Sequence, residues 1–323
     1  MLNKRSLLVP GVALAASALL LTGCATPADD GPTGGPRVLA ALYPLQFLAE
    51  QVAGDLASVE SITPQGAEPH DLELAPAQVR TIGTADLVVY IGGFQAALDD
   101  ALAQRSPAHV IDANAVLGLG SHDADDGGHD DGEHDDEANH GDSNDDHAGH
   151  DHDGDPHFWL DPTLLAALAD PVADVLAEID PANSATYEAN ATQIATELTA
   201  LDKEFASALS SCERDVVVVS HEAFGFLTER FGLTQVGLSG IDPESEPSPA
   251  RLREIRATIA EHDVTTIFTE TLVNPKAAEV FAADLGLTTA ILDPIEAQVD
   301  PDTDYRDVMR ANLEALTLAL GCA

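Results

Sequence analysis

Three histidines stand where a chain of alternating strands and helices gathers ligands. His70 follows Gly66-Ala67-Glu68-Pro69, just after an expected strand over 59–63. His157 lies in the Pro-bounded run Asp155-Pro156-His157-Phe158-Trp159-Leu160-Asp161-Pro162, ahead of a helix. His221 closes an expected strand over 216–220, with the next helix expected to begin at once. Open α/β sheets bind ligands at the carboxyl ends of their strands, which places His70 and His221 there, one in each half of the chain. Three imidazoles converging on a cleft suit Zn²⁺, a borderline-soft ion that nitrogen holds at about 2.0–2.1 Å. Taken singly, each histidine also reads as a structural residue, and spacing alone does not separate the two readings. His109, entering a short strand, and His262, at a helix end, lack the strand-end placement and read as structural or surface residues. The pair His221-Glu222 opens like the HExxH of zinc proteases, but the second histidine would fall at Gly225, so that motif fails. A zinc-dependent hydrolase built on three histidines and a carboxylate stays as an alternative of a different class; it would keep an open position for water.

The elements that must position these residues alternate from residue 38 onward. Runs 38–43, 87–91 and 110–112 read as strands, and 44–54 reads as a helix with a proline start and a glycine stop. The continuous apolar run 87–91 is that of a strand buried on both faces. Beyond the middle of the chain, 163–178 reads as a helix disturbed at Pro171, and 183–211 as an unusually long helix with no Gly or Pro. At 1.5 Å per residue it would span roughly 42 Å, enough to run along two lobes. Strands then recur at 216–220, 234–238, 265–269 and 289–292, with helices near 222–231, 249–262, 274–285 and 305–320. The fold class is α/β, two lobes with mostly parallel sheets joined by a long linking helix. The expected domains are an N-terminal lobe over 37–182, the linking helix over 183–211 and a C-terminal lobe over 212–323.

Charge sets one segment apart. The 323-residue chain carries 56 acids against 14 Lys and Arg, a net charge of −42, which excludes a phosphate-backbone binder and so a nucleic-acid partner. Residues 121–155 hold 15 of the acids and no Lys or Arg. They also hold His122, His129, His134, His140, His147, His150 and His152. So little apolar content cannot fold alone. Histidines spaced by acids suit weak binding of several Zn²⁺, and a solvated charge run is the plainer alternative.

The N-terminus has Lys4 and Arg5, an apolar run over 7–21 and then Thr22-Gly23-Cys24, the pattern of an export signal. Small residues directly before a cysteine resemble a bacterial lipobox. Cleavage there removes 1–23 and leaves Cys24 lipidated, with 24–36 as a flexible tether that holds the protein at the outer face of the cell membrane. Outside the cytoplasm the remaining pair, Cys212 and Cys322, can oxidise to a disulfide.

The runs PQGAEPHDLELAP, DPHFWLDP, VVVVSHEAFGFL and ILDPIEA, in this order around a His/Asp-rich loop, resemble the zinc-specific solute-binding lipoproteins of bacterial ABC importers (the metal-binding cluster A-I type). The resemblance covers essentially all of 38–323, plus the lipobox. It implies two α/β lobes on a rigid helix, a metal held between them by His70, His157 and His221, and a monomer that hands Zn²⁺ to an ABC permease without being an enzyme. Manganese-selective relatives typically carry a Glu at the third position, so His221 points to zinc; a manganese or other divalent-metal protein, or an adhesin of the same family, is the alternative within it. For the fourth ligand the resemblance favours Glu296, with Asp293 as the alternative and Glu68 a weaker one. Glu270, at a strand end, is expected to be a hydrogen-bond partner.

Overall fold

A computed structural model describes residues 35–119 and 154–323. The expected signal, nearly all of the tether with Cys24, and the seven histidines from 122 to 152 lie outside the described residues.

The first half lays down β1 (Arg37–Ala40), α1 (Tyr43–Ala53), β2 (Ser58–Ser61), α2 (Pro76–Ile82), β3 (Leu87–Tyr90), α3 (Ala96–Arg105), β4 (His109–Asp112) and α4 (Ala113–Leu117). Its four strands are parallel in the order β2-β1-β3-β4, with Val38 opposite both Val59 and Leu87. Helices α2, α3 and α4 are too short or too weakly periodic to stand out in the sequence. The second half repeats the plan with β5 (Val216–Val219), α8 (Gly225–Arg230), β6 (Thr234–Gly237), α9 (Pro249–Glu261), β7 (Thr266–Thr269), α10 (Lys276–Leu285), β8 (Thr288–Ile291) and α11 (Tyr305–Leu320). These strands are also parallel, in the order β6-β5-β7-β8. In both sheets the chain reverses its direction of travel beside the first strand, which makes the gaps β1/β3 and β5/β7 the topological switch points.

Between the sheets lie α5 (Pro162–Ala167), α6 (Ala169–Ile179) and α7 (Ser184–Ala208). The expected single helix over 163–178 is therefore two. Pro171 has no N–H for the Ala167 carbonyl and its ring crowds that turn; the chain closes a tighter turn instead, with Leu168 N donating to Leu165 O at 3.2 Å. The linking helix is shorter than the expected 183–211, at 25 residues, or about 37 Å. It buries Tyr187, Ala191, Ile194, Leu198, Leu201 and Phe205, a stripe at alternating spacings of four and three that keeps one face inward. Two ion pairs tie it to α8 and α11: Arg230 grips the buried Asp202 at 2.8 and 3.0 Å, and Arg310 grips Glu204 at 2.9 and 3.1 Å.

The strand Val216–Val219 is wholly buried, as a parallel strand covered on both faces should be. Alternate residues serve different cores. Val217 and Val219 join one apolar mass that runs from β1 and β3 through α7 to α11, whereas Val216 and Val218 pack with Ile255, Ile259, Ile267 and Phe281 on the outer face. Cys212 and Cys322 are joined by a disulfide that ties the start of the second half to the end of α11. No helix among the described residues is long and apolar enough to cross a membrane.

Candidate metal centre

His70 sits in the long loop after β2. Two residues earlier, Glu68 accepts its backbone N–H at 3.0 Å. The buried Gln95, just beyond β3, donates to Pro69 O at 3.1 Å and to Thr63 Oγ1 at 3.0 Å, which holds the loop down. The Phe94 ring stands edge-on to the imidazole with centroids 4.8 Å apart.

His157 is wholly buried. The same turn recurs here: Asp155, two residues before it across a proline, accepts its backbone N–H at 3.0 Å. Asp155 also accepts from the ring Nδ1 at 2.7 Å.

His221 follows β5, and Glu270 follows the neighbouring β7, so the two face each other across the switch point of the second sheet. Glu270 Oε1 accepts from His221 Nδ1 at 2.7 Å and from the Ser220 hydroxyl. The helix expected to begin directly after His221 begins four residues later, at Gly225. The intervening N–H groups are spent elsewhere, Glu222 N on Gly240 O and Phe224 N on the Gln235 side chain. This irregular stretch leaves the His221 ring pointing between the lobes instead of along a helix.

Glu296 lies in the loop between β8 and α11. Asn312, buried on α11, accepts from Asp293 N at 2.8 Å and donates to Asp293 O at 2.7 Å. Ile295 holds φ +60°, a backbone state that costs a β-branched residue about 1–3 kcal/mol. That turn aims the Glu296 side chain inward.

The four side chains converge. Glu296 Oε1 lies 3.2 Å from His70 Nε2, 3.0 Å from His157 Nε2 and 3.6 Å from His221 Nε2. One potential ligand atom from each of the four lies within 4.8 Å of all the others. His221 Nε2 and Glu296 Oε2 are buried without a hydrogen-bond partner, a costly state for polar atoms that a bound cation would relieve. Burial opposes charge on His221, but Glu270 and Glu296 overcome it and push the imidazole up to about 10. Burial likewise opposes charge on His157, and Asp155 with Glu296 raises it. Burial works against Glu296 too, yet the surrounding His157, His221 and His70 hold its carboxyl well below the usual range. A cavity of about 390 Å³ reaches the group on the His70 side, lined also by Phe94, Asp155 and Ile241. Three nitrogens and one oxygen within 4.8 Å of one another are a donor set of the kind that suits Zn²⁺.

Of the other acids, Asp293 faces away: its Oδ2 accepts from the Thr271 hydroxyl at 2.6 Å and its Oδ1 from Ile295 N at 2.8 Å. Burial raises its pKa. Glu68 is occupied by the backbone of its own turn, with its carboxylate 3.9 Å from His70 Nε2. His109 starts β4 and His262 caps α9, both remote from the group. Sequence reasoning missed Asp155, Gln95, Asn312 and Trp159 as supports. For Asp155 a signal was present: acid-Pro-His occurs twice, at 68–70 and 155–157. Proline has no N–H and holds the preceding acid extended, so the acid's side chain bends onto the N–H of the histidine.

Two parallel-sheet α/β lobes joined by one long helix are the plan of a class of solute-binding proteins, and this chain has that plan. It belongs to the family of the periplasmic component A of zinc-uptake complexes, whose model matches residues 38–319. The chain is 30% identical over 312 residues to the high-affinity zinc uptake system protein ZnuA of Bacillus subtilis, covering 94% of each. It is 31% identical over 307 residues to the zinc-binding lipoprotein AdcA of Streptococcus pneumoniae, covering 93% of this chain but 58% of AdcA. The crystal structure of the Zn(II)-bound ZnuA-like domain of that AdcA superposes with a TM-score of 0.69 at 28% identity, over 89% of this chain and 99% of that one.

Proposed function

We propose that this protein captures Zn²⁺ outside the cytoplasmic membrane and delivers it to an ABC permease, holding the ion by Nε2 of His70, His157 and His221 and by the Glu296 carboxylate. The observation that carries the reading is the approach of these four donors to within 4.8 Å of one another, in a chain whose family is a zinc-uptake component. Three imidazole nitrogens favour Zn²⁺ over Mn²⁺, which prefers oxygen. A hydrolase would need a coordination position left open for water; four protein donors closing on one point argue against that, as does membership of a solute-binding family.

Lipidation at Cys24, a tether to the membrane face, a monomeric state and an auxiliary zinc-gathering role for the histidines between 122 and 152 complete the proposal. The anchor and the zinc-gathering role rest on motif and composition, and the monomeric state on the family resemblance. Metal analysis of the lipid-free protein, with competition among Zn²⁺, Mn²⁺ and Cu²⁺, tests the central claim. One tightly held Zn²⁺ per chain, lost in single His→Ala variants that stay folded, supports it. Wild-type affinity in all three variants would end the ligand assignment.

A further inference from the structure

Trp159 is the only tryptophan in the chain and is fully buried. It stands two residues after His157, with its ring 5.1 Å from that imidazole. Its indole N–H donates to Pro294 O at 2.7 Å, two residues before Glu296. Its own carbonyl accepts from the Tyr305 hydroxyl at 2.6 Å, on the first residue of α11. One residue beside a donor of the first half is therefore bonded twice to the half that carries Glu296.

A buried indole N–H needs an acceptor, but the acceptor here has a particular neighbour. Pro294 precedes Ile295, which sits at φ +60°, and a β-branched residue leaves that region unless its surroundings hold it. Asn312 fixes the chain at Asp293, and Trp159 fixes it at Pro294. Between them these two holds set the turn that brings Glu296 toward His157.

We propose that Trp159 is a positioning residue of the metal centre: through Pro294 it fixes the Glu296 carboxylate against His157, so that donors from opposite lobes form one preset half of the site. This rests on the ligand set proposed above. A preset pair spares the ion the cost of ordering those donors on capture, and groups that orient metal ligands typically matter about ten- to a hundredfold in affinity.

The test is a double-mutant cycle on metal-stripped protein, with Zn²⁺ affinity read by competition against a chromophoric chelator. Trp159→Phe keeps an aromatic ring in the core and removes the N–H. It should weaken zinc by about ten- to a hundredfold in the wild-type background, and by little more when Glu296 is already Ala. Tyr305→Phe, which frees the Trp159 carbonyl and leaves the indole intact, should show the same pattern more weakly and serves as the cycle if Trp159→Phe does not fold. No loss in the wild-type background, or an equal loss in both backgrounds, overturns the inference, because a purely structural tryptophan would be indifferent to residue 296. If Glu296→Ala itself binds zinc as the wild type does, the ligand set fails, and this inference with it.

Discussion

His221 Nδ1 lies 2.7 Å from Glu270 Oε1, with the two residues following adjacent parallel strands of one sheet. A carboxylate accepting at Nδ1 keeps the proton on that nitrogen, so Nε2 faces the other donors with its lone pair free once any second proton leaves. Asp155 does the same for His157 at the same 2.7 Å, by a local turn instead of a neighbouring strand. Two unrelated pieces of backbone thus solve one orientation problem.

Glu270→Gln should therefore lower Zn²⁺ affinity by about tenfold to a hundredfold without unfolding the protein, and Asp155→Asn should do likewise. Both are read by chelator competition on metal-stripped protein, with circular dichroism as the check on folding. Undiminished affinity in both variants would show that these carboxylates do not govern the imidazoles.

Glu296→Ala should weaken zinc binding far more than Asp293→Ala. Asp293 spends its oxygens on Thr271 and Ile295 N, so its loss should appear chiefly as a lower melting temperature. Calorimetric titration beside thermal unfolding separates the two effects. If Asp293→Ala is the more damaging to zinc, the fourth ligand is reassigned.

The strands and the linking helix were legible because their signals are local: unbroken apolar runs such as Val216–Val219, and 25 residues free of Gly and Pro in α7. Strand-end placement also marked His70 and His221 as candidates. Helix α8 was misread at its start because what delays it is tertiary, the capture of Glu222 and Phe224 N–H groups by Gly240 and Gln235. The choice between Asp293 and Glu296 turned on backbone conformation at Ile295 and on Asn312 and Trp159, which are 19 and 135 residues away from the carbonyl groups they hold. No spacing rule in the sequence records such contacts.

Zinc affinity should rise with pH across the neutral range. His221 is pushed up to about 10 and His157 is raised, so in the metal-free protein protons occupy nitrogens that zinc must take. The stability of the metal-free fold follows the opposite course. The His221 contribution is fully present below its unfolded value of about 6.5 and fades as pH climbs toward the folded one. Glu296, held well below its ordinary value, contributes above that value and loses its share as the solution turns acid. Calorimetry in buffers of different ionisation enthalpy should register proton release on zinc binding. A binding enthalpy that ignores the buffer would refute the coupling.

Reduction of the Cys212–Cys322 bond should destabilise the fold. The bond closes a separation of 110 residues, for which loop entropy gives up to about 4–5 kcal/mol, with measured values often smaller. Neither cysteine belongs to the group of zinc donors, which should keep its affinity below the melting transition. Peptide mapping of unreduced exported protein should recover the two cysteines linked. Two freely alkylated thiols would overturn the bond.

Deleting residues 121–149 should leave the tight zinc affinity almost unchanged and remove additional, weaker zinc equivalents. The four proposed ligands all lie outside the deletion, and their supports Gln95, Asp155, Glu270 and Asn312 do too. The segment carries His122, His129, His134, His140 and His147 among acids, a composition that favours several weak sites, because ordering such a chain around each ion costs conformational entropy. The same deletion removes much of the local negative charge and should slow capture at low zinc and low salt, where long-range attraction of a cation is least screened. Titration calorimetry gives the stoichiometry and stopped-flow mixing gives the capture rate. Loss of tight binding would assign the segment to the primary site, and no change in either quantity would leave it as a solvated charge run.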